Sequence, residues 1–179
     1  HPGNVPTNFS VAPATQGGWQ LGYLQWLKNK FPEAITAVGT LYPDIANGRA
    51  SHQASKGAAE SLGFKYVYER AIQPTETDFT ADVVRMRQAG VKMIWIPTQD
   101  VKVTARLAKA FAQQGFHPQA FVGGGTAYDP ALVPLAGAAN VEGLLVPQLY
   151  SAFAGEDSAA NPEVALFNTW VQKVKPGYV

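Results

Sequence analysis

Three times along the chain an amphipathic stretch ends in glycine and the next residue is apolar: Ser61-Leu62-Gly63-Phe64, Gln88-Ala89-Gly90-Val91 and Gln113-Gln114-Gly115-Phe116. Glycine takes the left-handed conformation that closes a helix, and the apolar residue behind it packs back on the last turn. Each closure leads into a strand-like run, so the chain reads as βα units spaced roughly 25 residues apart, with right-handed crossovers and helices on both faces of a sheet. The pattern predicts a strand over 35–40, a loop over 41–44, a helix over 46–62, a strand over 64–71, a helix over 78–88 and a strand over 91–96. Ile35-Thr36-Ala37-Val38 and Met93-Ile94-Trp95-Ile96 barely alternate, as expected for parallel strands covered on both sides. Ala54, Ala58, Ala59 and Leu62, and then Phe79, Val83, Val84 and Met86, carry the helical stripes.

The flanks extend the same scheme. Residues 1–14 are rich in Pro, Asn and Thr and read as an extended entry segment. Thr15 is a candidate N-cap for a helix over 16–30 with Trp19, Tyr23, Trp26 and Leu27 on one face. A helix over 101–114 places Val103, Leu107, Ala108 and Phe111 inward and Lys102, Arg106 and Lys109 outward. A fourth strand over 120–122 opens into Gly123-Gly124-Gly125-Thr126, a short helix spans 130–136 and a fifth strand spans 141–146. The expected fold is therefore an α/β three-layer sandwich around a mainly parallel five-stranded sheet, filling 15–146. Residues 147–179 form an irregular connection followed by a helix over 162–174 that opens on proline.

Composition narrows the function. At 46% hydrophobic and 15% charged residues the chain is globular in character, and a net charge of +1 gives no reason to expect nucleic acid as a partner. With no cysteine there is no disulfide, thiolate nucleophile or cysteine metal site, and no apolar run approaches the ~20 residues of a membrane span. His1, His52 and His117 lie far apart in sequence, there is no G-x-S-x-G elbow and no H-E-x-x-H, and the glycine triplet lacks the spacing of a phosphate or dinucleotide loop. A phospho-receiver would need an acidic pair after the first strand and a lysine after the fifth; Asp44 stands alone, and Pro147-Gln148 replaces the lysine. The expectation is no catalysis, no cofactor and no metal.

In an open parallel sheet, ligands sit at the carboxyl ends of the strands, where helix N-termini face the crevice. That rule selects Tyr42 and Asp44 with Asn47, then Thr98, Gln99 and Asp100, then Gly124, Gly125, Thr126 and Tyr128, and finally Gln148. Together they offer amide, carboxylate, hydroxyl and aromatic groups to a small polar molecule. Asp44 and Asp100 serve equally as helix N-caps, the glycines as a tight strand exit and the aromatic stripe as core.

Tyr42-Pro43-Asp44, Asn47-Gly48-Arg49-Ala50, Ser61-Leu62-Gly63 and the run Pro74-Thr75-Glu76-Thr77-Asp78-Phe79-Thr80-Ala81-Asp82, in that order, resemble the second lobe of type I periplasmic binding proteins, specifically the branched-chain amino-acid-binding group of ABC transporters. Thr15-Gln16-Gly17-Gly18 and Ala138-Ala139-Asn140-Val141-Glu142-Gly143-Leu144-Leu145 are similar to the family's first helix and its approach to the fifth strand. The resemblance implies a Rossmann-like, extracytoplasmic solute-binding lobe. Its partners would be a small amino acid, aromatic acid or amide, a missing first lobe of the same protein, and a membrane permease. It implies further that a leader has been removed and that both ends continue into that lobe. A ligand-sensing domain of a receptor or regulator on the same fold is the alternative. Where the amino-acid binders carry an aromatic before glycine, an aromatic after the third strand and an acid for the ligand ammonium, this chain has Asn47, Asp100 and Gly125.

Overall fold

The alternation of strands and helices is realised in the computed structural model, which describes residues 19–73, 75–148 and 162–177. The expected entry segment over 1–14, the Thr15 cap and most of the irregular connection lie outside the described residues. The chain divides into two compact units, His1–Val146 and Pro147–Val179.

In the first unit the order is α1 (Gly22–Lys30), β1 (Val38–Pro43), α2 (Ala46–Ser61), β2 (Tyr66–Ile72), α3 (Thr80–Gln88), β3 (Met93–Trp95), α4 (Val101–Gln113), β4 (Ala120–Val122), α5 (Leu132–Ala136) and α6 (Ala138–Val141). The sheet runs β2-β1-β3-β4 with every pair parallel. It has four strands, not five. Residues 138–141 wind into α6, and only Leu145 reaches the sheet, as a single parallel bridge to Val122 closed by Leu145 N–H to Phe121 O and Gly123 N–H to Leu145 O, both 2.9 Å. Gly143, at φ 76°, turns the chain just before this bridge and leaves too few residues for a ladder.

All three glycine closures take positive φ: 94° at Gly63, 69° at Gly90 and 57° at Gly115. The apolar residue after each returns its amide to the carbonyl five positions back, Phe64 to Ala59, Val91 to Met86 and Phe116 to Phe111. That is the six-to-one bond of the Schellman motif, and all three apolar residues are buried.

Side-chain alternation sorts the sheet into two layers of core. Val38, Met93, Trp95, Ala120 and Val122 pack with Leu24 and Leu27 of α1 and Ala59 of α2. Leu41, Ile72, Ile94, Ile96 and Phe121 pack with α3, α4 and α5. In β2 a register shift opposite Val38/Gly39 puts one extra residue in the strand. Such a bulge exchanges the faces of everything beyond it. Tyr68 and Ile72 therefore join the α3 side, while Glu69 faces α2.

Three expected boundaries move. Residues 34–36 form a 3₁₀ turn, so β1 starts at Val38 and takes in Leu41, Tyr42 and Pro43, which the sequence pattern leaves in a loop. Helix α1 starts only at Gly22, burying Leu24 and Leu27 and leaving Trp26 exposed against the edge of Phe31. The fully buried residues of α2 are Gly48, His52, Ser55 and Ala59; of the expected stripe only Ala59 is among them, while Ala58 and Leu62 pack partly buried on the same core. Gly48 is required there: an added Cβ would lie 2.9 Å from the Pro43 Cβ and 3.1 Å from its carbonyl carbon, so α2 sits on the end of β1 only without a side chain.

The second unit contains α7 (Pro162–Val174), whose Leu166, Phe167, Trp170 and Val174 are exposed along one stripe.

Candidate functional site

The strand order reverses direction at β1 and β3: from β1 the chain moves outward through α2 to β2, and from β3 it moves the other way through α4 to β4. The crevice beyond the carboxyl ends of such a pair is where an open parallel sheet holds its ligand. Three of the expected exits converge on this edge of the sheet, and each is built differently.

At the end of β1, Tyr42 is a strand residue whose ring stacks on His52 of α2, centroids 4.0 Å apart and planes 7° from parallel. His52 is buried, and its Nε2 lies 2.8 Å from Glu69 Oε2; Lys56 Nζ lies 2.6 Å from the other oxygen of the same carboxylate. Tyr42, His52, Glu69 and Lys56 thus tie the middle of α2 to both β1 and β2. Burial raises the Glu69 carboxyl, but its bonds to Lys56 and His52 outweigh that and hold it below the ordinary carboxylate value. A depressed folded-state value means the stability is present above the unfolded value and is lost as pH falls through the lower one. We therefore expect the melting temperature to fall more steeply in wild type than in Glu69→Gln as pH drops below the ordinary carboxylate range of about 4.3, measured by calorimetry. Parallel curves would show that this carboxylate carries no net stabilisation.

Asp44 follows directly. Its Oδ1 accepts from Arg49 Nε at 2.8 Å and its Oδ2 from Gln73 Nε2 at 2.9 Å, while its backbone N–H reaches Ile72 O at 2.7 Å. It does not cap α2. The N-cap is the extended Ile45, which offers no side-chain acceptor, and Asn47 is exposed in the first turn. Arg49 and Gln73 are rim residues that the strand-exit rule leaves out. Gln73 could have been found by applying that rule to the second strand, whereas the pairing of Arg49 with Asp44 has no signature in sequence.

At the end of β3, Asp100 caps α4, its Oδ1 accepting from Val103 N–H at 2.8 Å. Asp100→Ala should cost about 1 kcal/mol of unfolding free energy. An urea midpoint equal to that of wild type would contradict that role. Gln99 is 3% exposed, and neither its Nε2 nor the Oγ1 of Thr98 has a hydrogen-bond partner among the described residues.

The exit of β4 is fastened to that of β3. Thr126 donates its hydroxyl to the Gln99 carbonyl at 2.7 Å, and a Cβ on Gly124 would fall 2.5 Å from the Pro97 carbonyl oxygen. The segment Gly125–Ala127 turns as a short 3₁₀ helix capped by the half-buried Tyr128, whose N–H bonds to Gly125 O at 3.1 Å. Gln148 belongs to the second unit.

The first unit thus brings together Asp44, Asn47, Thr98, Gln99, Asp100, Gly124, Gly125, Thr126 and Tyr128 at one edge of the sheet, with Tyr42 supporting from below against His52. No group of three or more histidine, aspartate or glutamate side chains among the described residues could hold a metal ion.

Comparison with known proteins agrees with this fold. Among solved structures, the chain is similar to a fatty acid ABC transporter substrate-binding protein from Thermomonospora curvata, with 26% identity and a TM-score of 0.64 over 88% of this chain and 39% of that one. It is similar to a leucine-binding protein from Thermotoga maritima (18% identity, TM-score 0.67, 87% of this chain and 42% of that one). A branched-chain amino acid ABC transporter protein from Thermus thermophilus with bound valine gives 24% identity and a TM-score of 0.64 over 87% of this chain and 38% of that one. The chain thus spans about two fifths of each. No curated protein matches it. The family model described as periplasmic binding protein matches residues 2–176, nearly the whole sequence, and the chain belongs to that family of non-catalytic solute-binding proteins.

Proposed function

We propose that this chain is one lobe of an extracytoplasmic ABC-transporter substrate-binding protein, and that the rim from Asp44 to Asn47, Thr98 to Asp100 and Gly124 to Tyr128 forms half of the surface that traps a small polar organic solute. The observation that carries this is the joining of the β3 and β4 exits, by Thr126 on the Gln99 carbonyl and Gly124 on Pro97, beside the β1 exit at the point where the strand order reverses. A rim braced in this way holds its contact atoms before the solute arrives, which reduces the ordering cost of binding.

Two partners go with the reading. One is a further lobe of the same polypeptide, which closes over the rim. The other is a membrane permease that receives the solute. No helix among the described residues is long and apolar enough to cross a membrane itself.

The test is a thermal-shift screen of the full-length protein against amino acids, aromatic acids, aliphatic acids and amides. A solute held at 100 times its dissociation constant stabilises by about 2.7 kcal/mol. A shift from one chemical class supports solute capture; no shift from any class would overturn it.

A further inference from the structure

A buried polar group with no partner inside the fold costs stability, and native proteins rarely keep one without a use. Gln99 is such a residue: it is 97% buried by its 3% exposure, it stands where β3 hands the chain to α4, and its side-chain N–H₂ bonds to nothing among the described residues. Its neighbour Thr98 carries an unpartnered hydroxyl at the same exit. The backbone around them is not free to move toward a partner, because the Gln99 carbonyl is held by Thr126 and the Pro97 carbonyl is packed by Gly124.

The acceptors of the rim are in the opposite condition. Asp44 is occupied by Arg49 and Gln73, and Asp100 by the Val103 amide. On the adjoining exit, α2 starts without a side-chain cap, so its first amides add further donors at the positive end of the helix dipole. The buried side-chain groups of this rim with no partner among the described residues, the Gln99 amide nitrogen and the Thr98 hydroxyl, can both donate.

We propose that this lobe grips the hydrogen-bond-accepting end of its solute, a carboxylate or a neutral carboxamide, through the Gln99 amide and the Thr98 hydroxyl. This rests on the solute-capture reading above and specifies which chemical end of the solute the lobe takes. An apolar body carrying a carboxylate or carboxamide binds with or without an α-amino group.

Matched probes separate the possibilities. Calorimetric titration of the full-length protein would use 4-methylpentanoate, 4-methylpentanamide and 4-methylpentylamine, and the corresponding acid, amide and amine of the 3-phenylpropyl series. The acid and amide of at least one series should bind and its amine should not. Gln99→Leu should weaken the acid and the amide at least tenfold while leaving the unliganded melting temperature unchanged or higher, since it deletes an unpaired buried donor. Gln99→Met checks this if the leucine variant folds poorly, and Gln99→Glu should abolish acid binding by charge repulsion. An amine that binds as tightly as its acid, an unaltered acid affinity in Gln99→Leu, or a drop in the unliganded melting temperature of both Gln99→Leu and Gln99→Met would overturn the proposal and leave solute capture standing. Silence from every member of both series, together with a negative thermal-shift screen, would overturn both.

Discussion

Replacing Asp82 with alanine should lower the unfolding free energy by about 3–5 kcal/mol, a drop of roughly 10 °C in melting temperature for a chain of this size. The Asp82 side chain on α3 is 3% exposed, and its Oδ1 accepts from Arg70 Nε at 2.5 Å and from the Tyr68 hydroxyl at 2.6 Å, its Oδ2 from Arg70 Nη2 at 2.6 Å. Arg70 also reaches Glu76 through Nη1 at 3.1 Å and Nη2 at 2.5 Å. Burial alone would lower the guanidinium, but its bonds to Glu76 and Asp82 outweigh that and hold it above its ordinary value. Removing Asp82 leaves a half-buried cation short of a partner and strips the Tyr68 phenol of its acceptor, which is why the cost exceeds that of an exposed ion pair. A denaturant-derived loss below about 1 kcal/mol would show that water replaces the carboxylate without penalty.

Gly124→Val is the second large effect, and it strikes the rim directly. The added Cβ would stand 2.5 Å from the Pro97 oxygen and 3.0 Å from the Pro97 carbon, both backbone atoms, so one strand exit has to move away from the other. Overpacking of this kind costs about 1–3 kcal/mol. Because Thr126 and Gln99 are joined across the same gap, the displacement also separates the groups proposed to hold the solute. Solute affinity should fall at least tenfold, which is about 1.4 kcal/mol of binding energy. Gly57→Ala is the control: nothing lies within 4 Å of its added Cβ on α2, and removing a mid-helix glycine should stabilise by up to about 1 kcal/mol. Full solute affinity in Gly124→Val would mean that the two exits do not share the task.

The parts of this fold that are legible in sequence are those written in local chemistry. The Gly63, Gly90 and Gly115 closures are fixed by a backbone conformation that other residues resist, and the uninterrupted apolar run at Met93–Trp95 reflects burial on both faces. The α4 stripe of Val103, Leu107, Ala108 and Phe111 is buried as its spacing implies. What depends on distant partners is not legible. Leu41, Tyr42 and Pro43 read as a loop because of the proline, yet they form a strand, since β2 supplies the pairing from Leu41↔Arg70 to Pro43↔Ile72. The burial of His52 and Asp82 follows from Glu69 and Arg70 on β2, whose facing depends on a bulge that leaves no signature in composition. The expected fifth strand failed for the same reason: Val141, Leu144, Leu145 and Val146 suit a strand, and only the placement of α6 and the turn at Gly143 decides otherwise.

At the candidate site, the strand-exit rule selects residues that share one edge of the sheet without revealing which of their groups are already engaged. Asp44 and Asp100 look alike in sequence, each directly before a helix, and only one of them caps. The other pairs with Arg49 and accepts from Gln73, a contact that requires the end of β2 to lie beside the end of β1.

The most direct test of the account is amide hydrogen exchange of the full-length protein with and without the solute that gives the largest thermal shift. A second cleft makes the measurement decisive. At the opposite end of β4 a cavity of about 310 Å³ is lined by Phe111, Phe116, His117, Gln119, Asn140 and Glu142 among others. The account predicts that bound solute slows exchange over 44–48, 97–101 and 123–128 and leaves 116–119 and 139–143 unchanged. Protection confined to 116–119 and 139–143 would contradict it.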